Sequence, residues 1–171
     1  MTQQDKRKKW LCYALGVVPV WWLESLLLSR FPLFGVVPVL LPLTAVAAGL
    51  WEGESGGAWF GLGVGIFADA LYPGVPGGMT LGLALLGWLS GVFSQHGIGQ
   101  TFPGYLLCSA ISYLLLELCR VVSAALGGLG SWAGISWVAC KEGLWSLCFT
   151  LPVYLLFRVI HHKVGSPRLG S

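Results

Sequence analysis

Charge is what this sequence is short of. Asp, Glu, Lys and Arg make up 10% of its 171 residues, where water-soluble domains run near 25%. So few charges cannot coat a soluble globule of this length. Long polar stretches are missing too: only the two tails are polar over about ten residues, which leaves no room for a soluble domain. No CxxC pair occurs, and Cys12, Cys108, Cys119, Cys140 and Cys148 all fall inside apolar runs. They read as buried free thiols packing as small apolar groups. Neither HExxH nor GxSxG nor a His/Cys ligand cluster is present, so the usual marks of metal or nucleophilic catalysis are lacking. His161-His162 lies in a basic tail and reads as solvated or lipid-facing. Catalytic residues, metal and cofactor are all expected to be none.

What fills the chain is apolar sequence, 56% of it. A helix needs about 20 apolar residues to cross a hydrocarbon core of roughly 30 Å, and this length holds six such crossings with short loops. The runs lie at about 10–28, 33–51, 57–72, 79–93, 102–126 and 132–157. The expected fold class is therefore all-α: a polytopic membrane protein of six transmembrane helices, forming one domain over residues 1–171. The first run follows Lys6-Arg7-Lys8-Lys9 as in a signal peptide, but it is too long and lacks a small-x-small cleavage site, so it reads as a retained helix. Pro38 and Pro42 predict a kinked second helix, tolerated when neighbours satisfy the freed carbonyls. Glu52-Gly53-Glu54-Ser55-Gly56, residues 73–78, residues 94–101 with His96, and residues 127–131 read as loops or turns.

Six crossings put both termini on one side. Lys6, Arg7, Lys8, Lys9, Arg158, Lys163 and Arg168 are seven of the ten basic residues. The positive-inside rule then places both termini in the cytoplasm, with Trp10 and Trp51 at the inner face and Tyr72 and Trp132 at the outer one. Partners are expected among lipids and membrane proteins, not nucleic acid.

Gly53, Gly57, Gly61 and Gly65 recur every four residues, and Asp69 continues the series. Residues at that spacing share one helix face, and glycines there let another backbone approach closely. Gly78, Gly82, Gly87 and Gly91 form a similar, less regular set. The economical expectation is that the third and fourth helices pack together within the chain; docking of another protein is the other use. Residues 63–68 match GxGxxA, but no strand precedes them and no acid follows at the required distance, so a nucleotide site is rejected.

Glu24, Asp69, Glu117, Arg120, Lys141 and Glu142 lie within or at the ends of apolar runs. Each costs about 2.5–3.5 kcal/mol at a bilayer centre and must pair or face a wet cavity. Glu117 and Arg120, three apart, can pair on one helix, and Asp69 and Glu24 are candidate partners for Lys141. At about 1.5 Å per residue, all of them sit from the midplane outward. The first reading is that they are charge pairs fixing helix register, some of them near the headgroups; the second is a polar pocket or docking surface open to the outer face, for an external ligand or a partner's extracellular segment.

The segment from Pro38 to Gly91 resembles a known family. After the proline come the small residues 44–49, then Gly57-x3-Gly61-x3-Gly65-Ile66-Phe67-Ala68-Asp69, a glycine-rich turn, and Gly78-Met79-Thr80-Leu81-Gly82 through Gly87-Trp88-Leu89-Ser90-Gly91. This is similar to the rod shape-determining MreD family, with Ile66-Phe67 where leucine is common. The resemblance implies a non-enzymatic scaffold of the machinery that guides side-wall peptidoglycan synthesis. Implied partners are an MreC-like bitopic membrane protein, RodA with its penicillin-binding transpeptidase, and indirectly the MreB filament. Asp69 and the stripe Gly57, Gly61, Gly65 are the positions that carry over. The competing expectation is a substrate-binding S-component of an energy-coupling-factor transporter for a vitamin or metal, also six helices with an outward pocket. Its docking pattern in the first helix is not matched, since only Ala14 and Gly16 stand there.

Overall fold

A computed structural model describes residues 3–28, 30, 38–71, 77–95, 101–126 and 132–165. Among them every regular element is helical and none is a strand. Helix α1 (Gln3–Trp22) runs on into a π-helical stretch, Leu23–Leu28; α2 is Leu41–Leu71, α3 Gly78–Gln95, α4 Phe102–Leu126, α5 Trp132–Cys148 and α6 Thr150–Gly165. Tyr72, residues 73–76, His96 and residues 127–131 lie outside the described residues, as does the side chain of Trp132.

In the second apolar run residues 38–40 precede the helix, so Pro38 does not kink it, and residues 33–37 lie outside the described residues. Its helix begins at Leu41, and Pro42 sits in the first turn, where a helix needs no N–H from that residue. The polar segment 52–56 is not a loop either. Helix continues on both sides of Gly53, the one non-helical residue inside α2 (φ 80, ψ −176). A positive φ is a conformation that glycine reaches without Cβ strain. A Cβ placed on Gly57 would lie 2.5 Å from Gly49 Cα. In a straight helix these residues would be about 12 Å apart. The chain therefore folds back at Gly53, and α2 is a helical hairpin with a first arm (41–52) and a second arm (54–71).

The last apolar run is also broken. Helices α5 and α6 meet at Phe149 with a 45° bend. Pro152 explains it: proline has no N–H for the carbonyl of Cys148, four residues back, and its ring crowds that carbonyl. Phe149 N–H bonds instead to Ser146 O at 3.0 Å, a tighter turn.

Most neighbouring rods run in opposite directions. The second arm of α2 lies antiparallel to α3, since Gly57 meets Gly87, Gly61 meets Leu83 and Gly65 meets Thr80. The first arm is antiparallel to α4: Tyr105 bonds Leu43 O and Tyr113 bonds Val39 O. Helix α6 is antiparallel to α1, with Tyr13 against Phe157 and His161. The second arm of α2 runs parallel to α1, with Trp10 against Phe60 and Trp21 against Phe67.

The first arm is the centre of the bundle. Every residue from Leu41 to Leu50 is buried, whereas the flanks of α1, α3 and α4 expose Leu15, Leu81 and Leu114 at 66–71%. Among the described residues one helix, over Phe102–Val122, is by itself long and apolar enough to cross a membrane, and the bent pair Ser136–Cys148 with Thr150–Lys163 passes the same test together. The cysteines divide. Cys108 is buried and Cys12 half-buried, but Cys119, Cys140 and Cys148 are exposed, which corrects the expectation of five buried thiols. They lie on apolar flanks beside the exposed Leu118 and Leu144.

Candidate functional site

The two ends of the bundle differ in kind. At the end that carries the amino-terminal lysines, Lys9 Nζ lies 2.6 Å from Glu52 Oε2. His161 stacks on Trp51 with ring centroids 4.8 Å apart and shares a 3.2 Å hydrogen bond with the Tyr13 hydroxyl. This cluster ties α1, the hairpin bend of α2 and α6 together. Call this the tail end; the other is the far end.

Far-end polar groups converge on the start of α2. The Glu24 carboxylate, 2% exposed, accepts the Leu40 N–H at 2.9 Å. Tyr113 donates its hydroxyl to Val39 O, Ser146 Oγ accepts the Val39 N–H at 3.1 Å, and Tyr105 donates to Leu43 O at 3.0 Å. A helix start leaves several N–H groups without intrahelical partners. Buried as this one is, its polar groups need partners from elsewhere: Glu24 and Ser146 accept the N–H groups of Leu40 and Val39 just ahead of the helix, while the two tyrosines of α4 donate to carbonyls. The π stretch of α1 contributes by placing Glu24 inward while Trp22 and Leu26 face out, at 63% and 48% exposed.

One helical turn from this cap, Arg120 Nη1 lies 3.0 Å from Glu117 Oε1 and 2.8 Å from Glu142 Oε2. The expected local pair is therefore present, and a second carboxylate from α5 joins it. Glu142 is buried while the Arg120 side chain is 57% exposed. Lys141 takes no part. Its ammonium sits over the Trp137 ring, 5.1 Å from the centroid, one turn back on the same helix. The partners expected for it are engaged elsewhere, Glu24 at the start of α2 and Asp69 on α3.

Asp69 caps a neighbouring helix. Its carboxylate accepts the N–H of Met79 at 3.2 Å and of Thr80 at 3.0 Å, and the Thr80 hydroxyl as well. An acid at a helix start satisfies orphan donors and meets the positive end of the helix dipole. Changing Asp69→Asn keeps one acceptor oxygen and loses the charge-assisted pair. It is expected to lower stability by roughly 1–2 kcal/mol, read as a lower melting temperature of the detergent-purified protein.

The glycine stripe faces α3 at backbone distance. A Cβ on Gly61 would lie 2.1 Å from Leu83 O, and one on Gly65 2.5 Å from Thr80 Cα. Two members are reassigned. Gly53 forms the hairpin bend, and Gly49 from the first arm takes its place in the seam, with Ser90 Oγ and Gly87 O where its Cβ would be. On α3, Gly87 and Gly91 face α2, but Gly78 is exposed and Gly82 faces Leu116 of α4. The seam on α3 passes through positions 80, 83, 87 and 91, a helical period that a count of glycines alone does not reveal.

Tyr105, Tyr113 and Ser146, which carry much of the far-end network, are absent from a reading that follows charge and glycine. A signal for them exists. Tyr105, Ser109, Ser112 and Tyr113 on α4, and Glu142, Ser146 and Thr150 on the last run, recur at three or four residues and are all buried, a polar stripe on the inward face of each. No family model matches the chain, and neither a curated protein nor a solved structure does.

Proposed function

We propose that the chain is a six-pass inner-membrane scaffold of the MreD type, both ends cytoplasmic, that docks partners of the bacterial cell-elongation machinery. The observation that carries this reading is the alternation of six helical rods with basic residues concentrated at one end. The rods are α1 with its π stretch, the two arms of α2, α3, α4, and α5 with α6. Their contacts alternate in direction as successive crossings must. Lys8, Lys9, Arg158 and Lys163 belong to the tail-end segments, and Arg30, Arg120 and Lys141 to the far end. That asymmetry supports a cytoplasmic tail end.

The two arms of α2 are short for crossings, but their seam with α3 keeps irregular backbone inside protein, the condition under which it is tolerated at membrane depth. The acids support a scaffold too. Glu24 and Asp69 hold helix starts, and Glu117 and Glu142 hold Arg120. Because the glycine seam is filled from within the chain, partner helices would meet its outer flanks, such as the exposed face of α4 at Leu107, Ile111, Leu114 and Leu118.

Orientation is tested by labelling. A membrane-impermeant amine reagent applied to whole cells is expected to spare Lys8, while a cysteine placed at Arg30 reacts with an impermeant maleimide. Reaction at Lys8 would reverse the arrangement. Partnership is tested by affinity purification from native membranes. An MreC-like bitopic protein, RodA and its transpeptidase are expected to accompany the chain. Absence of all of these from the purified chain, or rod shape that persists without this chain, would sink the proposal, and a tightly held vitamin or metal would favour the transporter reading.

A further inference from the structure

The joint at the tail end is built around one imidazole. His161 stands among basic residues, yet its side chain is only 29% exposed. The ring stacks on Trp51 of the first arm of α2. Its Nδ1 lies 3.2 Å from the Tyr13 hydroxyl and 3.6 Å from Glu52 Oε1. Four titratable groups surround it: Lys9 and Tyr13 from α1, Glu52 from the bend of α2, and His162 from its own helix, with ring centroids 6.4 Å apart.

The place of each proton follows from what is left unpaired. Tyr13 is wholly buried, with Phe60 and Phe157 against its ring, so its hydroxyl proton needs an acceptor. Glu52 Oε1 is buried too and receives no hydrogen bond, while Oε2 is held by Lys9 at 2.6 Å. The hydroxyl is therefore not given to the carboxylate, and its acceptor is His161 Nδ1. A ring nitrogen that accepts carries no proton, so the imidazole is neutral with its hydrogen on Nε2.

A second proton reverses that arrangement. Imidazolium donates from both nitrogens, so Nδ1 can no longer accept from Tyr13, and a buried hydroxyl loses its partner. The new donor faces Glu52 Oε1 across 3.6 Å. The gain there is small, because Lys9 already offsets that carboxylate and brings a like charge close to the ring. Histidine is the side chain whose ordinary titration lies between about pH 5 and 8.

We propose that His161 is a proton-sensitive latch between α1 and α6: neutral, it holds the Tyr13 hydroxyl; protonated, it turns to Glu52 and the tail end of the bundle loosens. The latch belongs to the fold and does not depend on which partners the chain docks.

The test follows thermal unfolding of the detergent-purified full chain from pH 8 to pH 5, beside His161→Gln and Tyr13→Phe. Glutamine can accept the tyrosine hydroxyl through its amide oxygen and does not titrate. A bond that needs the neutral ring is complete above the ordinary histidine range and is lost as pH falls through it. The melting temperature of the parent is expected to fall by roughly 2–4 °C more than that of either variant between pH 7.5 and pH 5. His161→Gln lacks the titrating group, and Tyr13→Phe lacks the hydroxyl to be stranded. Histidine-labelled NMR of the same micelles is expected to show His161 Nδ1 without a proton at pH 7.5. An acid loss in the parent no larger than in the variants, or a proton on Nδ1 at pH 7.5, overturns the proposal. If one variant does not fold, the other and the NMR measurement decide it.

Discussion

Gly61→Leu is expected to cost about 3 kcal/mol or more, while Gly63→Leu, two residues along the same arm, costs nothing or stabilises slightly. The contrast follows from what each Cβ would meet. At Gly61 it would fall 2.1 Å from Leu83 O and 2.8 Å from Leu83 C, both main-chain atoms of α3. Side chains can rotate away from an intruder, but a helix backbone must translate as a whole. Moving α3 outward would open the contacts at Gly57–Gly87 and Gly65–Thr80 as well, so the damage spreads along the seam. Overpacking in ordinary cores costs about 1–3 kcal/mol, and a main-chain collision belongs at or above the top of that range. Gly63 has open space and sits in a helix interior, where replacing glycine gains up to about 1 kcal/mol of backbone entropy. Thermal unfolding of the two variants in one detergent checks the pair. Equal melting temperatures would mean that α2 and α3 do not meet at this seam.

Much of this packing was legible in the residues. The four-residue spacing of Gly57, Gly61 and Gly65 points to a backbone-close neighbour because nothing else rewards glycine at that period in an apolar helix. The chemistry of Gly53 was harder to read. Glu52, Glu54 and Ser55 around it look like a loop by polarity, yet a single residue at positive φ reverses the chain, and the flanking acids remain helical. Glu52 is polar because it meets Lys9 and His161 across the tail end, a long-range reason that local composition does not carry. Pro152 was a plain signal for the break between α5 and α6, hidden by the apolar residues on either side of it. The reassignment of Lys141 has a similar cause. Opposite charge predicts a carboxylate partner, but Glu24 and Asp69 are claimed by helix starts, whose orphan N–H groups cannot be seen until the starts of α2 and α3 are known. Tyr105, Tyr113 and Ser146 escaped because hydroxyls in apolar runs resemble ordinary filler until their three- and four-residue spacing is compared with the facing helix.

The second large effect is expected at Glu24. Glu24→Ala should cost about 3 kcal/mol, and Glu24→Gln about 1 kcal/mol. The carboxylate accepts the Leu40 N–H in a place where Leu40, Leu41 and Leu43 are wholly buried. Removing the acceptor strands a buried donor, which costs about 1–3 kcal/mol. It also removes a negative group from the positive end of the α2 dipole, at about 0.3–1 kcal/mol and up to about 2 in partly buried geometry, and leaves the space of the lost side chain unfilled. Glutamine retains a carbonyl oxygen for Leu40 and nearly the same volume, so only the charge is lost. The start of α2 is held by several groups at once, and their losses should not add. Tyr113→Phe releases Val39 O, one residue from the donor that Glu24 holds. Once either bond is gone the segment can shift and weaken the other. The double variant Glu24→Ala with Tyr113→Phe is therefore expected to cost less than the sum of the two, by roughly 0.5–3 kcal/mol of coupling. Strict additivity in a double-mutant cycle of detergent unfolding would show that the two side chains act on separate features. An alanine variant as stable as the parent would mean that α2 needs no cap from α1.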